Sequence, residues 1–214
     1  MSNQQTVVLL DGGMGQELIK RSANAPTPLW SATVMRDEPD LVTTVHADYI
    51  QADARVITLN NYSATPVRLA KHGLSTAFSE LHQAAITAAQ RAIAQTKPTH
   101  PVAVAGCLPP LVSSYHAEDV PSEAACLADY RALVAAQKDG VNLFLCETLT
   151  TVREVQTAAT AGKESGHPVW VGMTVDDQDG TRLRSGESLA DGVAAAKACG
   201  AAAVLINCSW PEAI

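Results

Sequence analysis

The chain has 214 residues, of which 47% are hydrophobic, 17% charged and only 4% aromatic. That is enough to bury one sizeable core, so a single domain over 1–214 is expected. A net charge of −7 without any basic run argues against a nucleic-acid or anionic-membrane surface.

The N-terminal stretch MSNQQTVVLL has no basic segment. Its apolar run of about four residues is far below the ~20 needed to span a bilayer, so a cytoplasmic location is expected. Six short apolar runs follow one another, at 7–10, 56–59, 102–105, 143–145, 169–173 and 203–206. They are continuous rather than alternating, as strands buried on both faces are. Helical stripes lie between them. One runs through Leu41, Val42, Val45, Tyr49 and Ile50, a second through Leu74, Phe78, Leu81, Ala85, Ala88 and Ala92, and a third through Leu127, Tyr130, Leu133 and Val134. Shorter helices are expected over 152–161 and 189–199, the latter ended by Gly200.

Strand and helix therefore alternate, which implies parallel strands joined by helical crossovers. A doubly wound sheet normally carries GxGxxG after a strand, whereas DGGMG follows the first run here, and no acidic residue ends the second. The α/β reading is thus a (β/α)8 barrel, although only six units are present against the eight strands and about 250 residues of a closed one.

Reactive groups gather at the carboxyl ends of barrel strands. Asp11-Gly12-Gly13 follows the first run, Asn60, Asn61 and Tyr62 the second, Gly106 and Cys107 the third, Cys146 and Glu147 the fourth, Thr174 and Asp176 the fifth, and Asn207 and Cys208 the sixth. Asp11 and Glu147 beside glycine amides suit an amino acid, since carboxylates bind an ammonium and glycines let backbone N–H groups approach a carboxylate. Alternatively, Asp11 caps the next helix and Glu147 is a solvated loop charge. The five cysteines, 107, 126, 146, 199 and 208, include no CxxC pair and read as reduced thiols. Cys208 is either a small buried hydrophobe or a metal ligand. A site made of Cys107, Cys146 and Cys208 is conceivable but lacks a recognised ligand spacing.

The stretches LLDGGMGQEL, PLWSA, VHADYIQADARVITLNNYSATPVRL, DGVNLFLCETL and LINCS, in that order, resemble the homocysteine S-methyltransferase family. The resemblance implies a (β/α)8 barrel that holds zinc through three cysteine thiolates. The zinc activates the homocysteine thiol for attack on a methyl group of S-methylmethionine, S-adenosylmethionine or betaine, giving methionine. Position by position it implies Cys208 as a zinc ligand and catalytic residue, and Asp11, Gly12 and Gly13 as the amino-acid loop. Glu147 becomes the ammonium partner and a catalytic residue, Tyr62 a pocket tyrosine and Trp30 an aromatic near the donor, both either facing the cationic donor or packing in the core, and Asn207 a pocket hydrogen-bonder. The family's other two zinc cysteines, an adjacent pair in a GGCC stretch, have no counterpart in these residues, so two ligands are expected beyond residue 214. The expectation is a C-terminally incomplete barrel, a fragment or truncation, or one covered by another copy in a homo-oligomer. The partners expected are homocysteine and a small methyl donor. The alternative function is a non-catalytic barrel that binds a small amino acid, and a third is an unrelated barrel enzyme acting on a phosphorylated substrate.

Overall fold

The computed structural model describes residues 7–27 and 29–214, apart from the side chains of Trp30 and Ser31. Five strands form one parallel sheet: β1 (Val56–Thr58), β2 (Ala103–Leu108), β3 (Leu143–Leu149), β4 (Val169–Met173) and β5 (Ala203–Ile206). Their order is strictly sequential, β1-β2-β3-β4-β5. A doubly wound sheet reverses its strand order at a switch point; here each new strand adds on the same side, which is how a barrel wall grows.

The predicted first strand is reduced to a single parallel bridge, Leu10 to Val56. Arg55 N–H donates to Leu9 O at 2.8 Å and Asp11 N–H to Val56 O at 3.0 Å, so the segment lies beside β1 without forming a longer ladder. Val7, Val8 and Leu9 are exposed. Among the described residues the sheet stays open, and the expected (β/α)8 closure is not formed by them. A second correction concerns strand length. β2 and β3 run on to Leu108 and Leu149, so Cys107, Cys146 and Glu147 are strand residues rather than loop residues.

Eight helices are described: α1 (Met14–Arg21), α2 (Trp30–Asp37), α3 (Pro39–Gln51), α4 (Pro66–Lys71), α5 (Phe78–Thr96), α6 (Glu123–Gln137), α7 (Val152–Glu164) and α8 (Leu189–Ala198). The five anticipated from periodicity are α3 and α5 to α8. Local chemistry sets their starts. Thr151 and Glu154 close a capping box on α7, and Ser122 and Ser188 cap α6 and α8. Gly200, with φ 77°, takes the left-handed position just after α8. The unanticipated α1, α2 and α4 span at most eight residues, too few for a helical stripe to stand out.

Side-chain alternation along the strands splits the apolar residues into two groups. Ile57, Val104, Phe144, Cys146, Val171 and Met173 pack with the helices in the main core. Val56, Ala105, Leu143 and Leu145 form a second cluster on the opposite face, with Leu10, Ala103, Trp170 and Leu205 against it. That parity decides which strand-end residues reach the inner side. No described helix is long and apolar enough to cross a membrane.

Candidate functional site

A cavity of about 720 Å³ opens where the carboxyl ends of the strands meet the segment after Leu10. Asp11, Gly12 and Gly13, Thr58, Asn60 and Tyr62, Glu147 and Thr148, and Asn207 and Cys208 all line it. The alternation that turns Leu143 and Leu145 inward also turns Glu147 inward and sends Cys146 to the helix side.

Asp11 is not a helix cap. The N-cap of α1 is Gly13, with no side-chain capping bond. Instead the Asp11 carboxylate accepts the Thr58 backbone N–H at 2.6 Å and the Thr58 hydroxyl at 3.1 Å. Burial pushes its pKa from 3.8 up to about 7; the Thr58 bonds oppose the rise and the charge of Glu147 adds to it. The close approach of this loop depends on Gly12, where a Cβ would lie 2.9 Å from the Tyr49 hydroxyl oxygen. Glu147 is half-buried rather than a solvated loop charge. The Cys107 thiol donates to its Oε1 at 2.8 Å. Burial raises the Glu147 pKa and the thiol bond resists the rise. Burial also holds the Cys107 thiol well above its ordinary range, so it remains a protonated donor. Two carboxyl groups with raised proton affinity in one cavity favour a cation, because a bound ammonium stabilises both in their ionised form.

Cys208 is exposed to the cavity, not a buried hydrophobe. It adopts φ 54° and Thr148 opposite it φ 61°, both left-handed. For a residue with a side chain that backbone costs roughly 1–2 kcal/mol and persists only where neighbours hold it. Asn207 supplies that hold. Its Oδ1 accepts the Thr148 N–H at 2.9 Å and its Nδ2 donates to Thr148 Oγ1 at 3.1 Å. The Thr148 hydroxyl in turn donates to Cys208 Sγ at 3.3 Å. Two further features lie beside this contact. The β3–β4 register shifts between Cys146 and Leu149, and a Cβ on Gly172 would come within 3.3 Å of Asn207 Oδ1. The Cys208 carbonyl accepts from Thr174 Oγ1 at 3.1 Å and Arg184 Nη2 at 3.2 Å.

A model of the family described as homocysteine S-methyltransferase matches residues 8–214, nearly the whole chain. The chain belongs to the homocysteine S-methyltransferase family. Homocysteine S-methyltransferase of Escherichia coli K12 is 33% identical over 225 residues, covering 96% of this chain and 70% of that protein. Selenocysteine Se-methyltransferase of Brassica oleracea is 29% identical over 96% of this chain and 66% of its own length. Among solved structures, the metallated form of the E. coli homocysteine methyltransferase MmuM superposes with a TM-score of 0.84 at 30% identity, over 98% of this chain and 77% of that one.

Of the site residues expected for a member of this family, Asp11, Gly12, Gly13, Tyr62, Glu147, Asn207 and Cys208 all line the one cavity. Trp30 opens α2, and its side chain lies outside the described residues. Tyr62 shares a 2.7 Å hydrogen bond with Ser114, and the Arg68 guanidinium carbon sits 5.2 Å from its ring centroid. One face of Tyr62 is thus already taken by a cation of the protein. The three-cysteine site is not formed: Cys146 packs with the helices and Cys107 is engaged with Glu147. Among the described residues no group of three or more His, Cys, Asp or Glu converges to hold a metal. Sequence reasoning missed Thr148, Arg68 and the Cys107–Glu147 bond. The LCETL stretch and the TPVRL turn carried the first two, but their partners are tens of residues away.

Proposed function

We propose that this chain binds homocysteine in the 720 Å³ cavity and serves its S-methylation. The supporting observation is the convergence of Asp11, Glu147 and the exposed Cys208 thiol on one cavity whose carboxyl groups have raised proton affinity. Glu147 and Asp11 hold the substrate ammonium, and the Gly12–Gly13 backbone faces its carboxylate. The homocysteine sulfur lies toward Cys208. It attacks the methyl carbon of a sulfonium or quaternary ammonium donor. The new S–C bond forms as the donor's bond to that methyl breaks, its electron pair staying on the donor heteroatom, and the thiol proton leaves to solvent. The cationic donor leaves neutral, the amino acid keeps its charge, and the released proton carries the positive charge away. The E. coli and maize relatives that are named homocysteine S-methyltransferases support this reading.

A zinc site takes about four ligands, and the described lining of the cavity offers one thiol, Cys208. They do not fit a complete zinc centre by themselves, and none of the roles above is routed through one. We extend the proposal to a (β/α)8 barrel as the parent architecture and to Cys208 as one zinc donor among others outside these 214 residues. A cytoplasmic setting belongs to the same reading.

The test is calorimetry with L-homocysteine and with 4-mercaptobutyrate, which lacks the ammonium. Glu147→Gln is expected to weaken homocysteine about tenfold to a hundredfold, the worth of a charge-assisted hydrogen bond, and to leave 4-mercaptobutyrate unchanged. Equal binding of the two ligands by the unsubstituted chain overturns the ammonium site.

A further inference from the structure

Arg68 lines the same cavity and has no role in the reading above. It sits on the first turn of α4, where its backbone N–H is capped by the Thr65 hydroxyl at 3.2 Å. Its side chain is held in place: Nε donates to Val112 O at 2.9 Å, Nη2 donates to Pro110 O at 3.0 Å, and the guanidinium lies over the Tyr62 ring. Among the described residues these partners are two carbonyls and an aromatic face, with no carboxylate. Asp11 is satisfied by Thr58 and Glu147 by Cys107, so neither cavity acid is spent on neutralising Arg68.

A half-buried guanidinium without a counter-ion is unfavourable, and an arriving anion relieves it. Guanidinium is also the group whose planar donors match a carboxylate. The cavity is therefore bipolar, with an acidic part at Asp11 and Glu147 and a cationic part at Arg68, Tyr62 and Ser114. We propose that Arg68 is a carboxylate subsite and that it takes the carboxylate of the methyl donor. This rests on the methyl-transfer reading. The donor is assigned to Arg68 because the amino acid's ammonium and carboxylate are already served by Asp11, Glu147 and the Gly12–Gly13 backbone. Arg68 discriminates in two ways: it attracts a zwitterionic donor and repels a bare cation of the same size.

The experiment is calorimetry on the purified chain with two pairs of probes. Dimethylsulfonioacetate and trimethylsulfonium differ in the donor carboxylate; L-homocysteine and 3-aminopropanethiol differ in the amino-acid carboxylate. The unsubstituted chain is expected to prefer dimethylsulfonioacetate about tenfold to a hundredfold. Arg68→Gln abolishes that preference, Arg68→Lys, which keeps the charge but not the planar fork, retains only part of it, and the homocysteine to 3-aminopropanethiol ratio stays as it was. A preference that survives Arg68→Gln, or is absent from the unsubstituted chain, overturns the subsite. If Arg68→Gln instead levels homocysteine with 3-aminopropanethiol, the donor assignment is overturned, since Arg68 then holds the amino acid.

Arg68 also ties down the Pro110 and Val112 carbonyls, so folding is checked separately. In the unsubstituted chain, acetate is expected to compete with dimethylsulfonioacetate and not with trimethylsulfonium. Without that competition the proposal fails even if the variants do not fold. Failure of the methyl-transfer reading shows elsewhere, as homocysteine binding no better than 4-mercaptobutyrate.

Discussion

Replacing Asp11 by Asn tests the electrostatics of the cavity without changing its shape. An Asn side chain fits the same two contacts, with its oxygen accepting the Thr58 N–H and its amide donating to the Thr58 hydroxyl, where Asp11 now accepts both at 2.6 and 3.1 Å. The carboxyl is raised from 3.8 to about 7 in the folded chain, chiefly by burial. Between those values the folded state holds a proton that the unfolded state has released. Stability therefore falls as pH rises from about 4 to about 7 and is level above that. At about 1.4 kcal/mol per tenfold change in proton affinity the full effect is about 4 kcal/mol. Asp11 is only partly shielded from water in the cavity, and screening brings the expected effect to about 2 kcal/mol. Urea unfolding at a series of pH values reads it directly. Asp11→Asn should match the unsubstituted chain near pH 4.5 and exceed its stability by about 2 kcal/mol at pH 8, with equal denaturant slopes. The same variant should bind homocysteine more weakly at pH 8. A stability difference that is flat with pH, or that favours Asp11 at pH 8, refutes the reasoning.

Asn207→Ala leaves the buried Thr148 N–H without an acceptor and should cost about 1–3 kcal/mol in urea unfolding; a loss under ~0.5 kcal/mol would show that Thr148 holds its left-handed backbone unaided. His46 is fully buried in α3 with neither ring nitrogen hydrogen-bonded among the described residues, and burial lowers its pKa from 6.5 to about 4. Here the unfolded state binds the proton first, so stability is lost as pH falls through 6.5, by about 2 kcal/mol at pH 5. His46→Leu should remove that part of the acid limb, and an unchanged pH dependence between 7 and 5 would contradict it.

The family stretches, the parallel α/β character and the position of Asn207 and Cys208 just after the last strand were readable from the residues alone. The reason is local. A strand buried on both faces leaves a continuous apolar run, and a turn residue marks its end, so Ala203–Ile206 points to Asn207 without any tertiary information. Long amphipathic helices such as α5 leave a stripe over several turns, whereas α4, at six residues, leaves none. Runs also mark where a strand lies better than where it stops: β2 and β3 continue through Cys107 and Glu147, polar enough to read as loop.

Only the tertiary structure decided the rest, because it depends on groups far apart in the chain. Pairing partners determine whether a run becomes a strand, and the first run, with Leu10 bridged to Val56 alone among its described residues, did not. The raised proton affinity of Asp11 comes from burial by β1 and from Glu147, more than a hundred residues later. Glu147 owes its hold to Cys107 on the neighbouring strand, Thr148 owes its left-handed backbone to Asn207 on β5's far end, and Arg68 faces the cavity because the Pro110 and Val112 carbonyls draw it there. A sequence lists donors and acceptors; which of them meet, and which charge is left without a partner, is settled by the distances that folding creates.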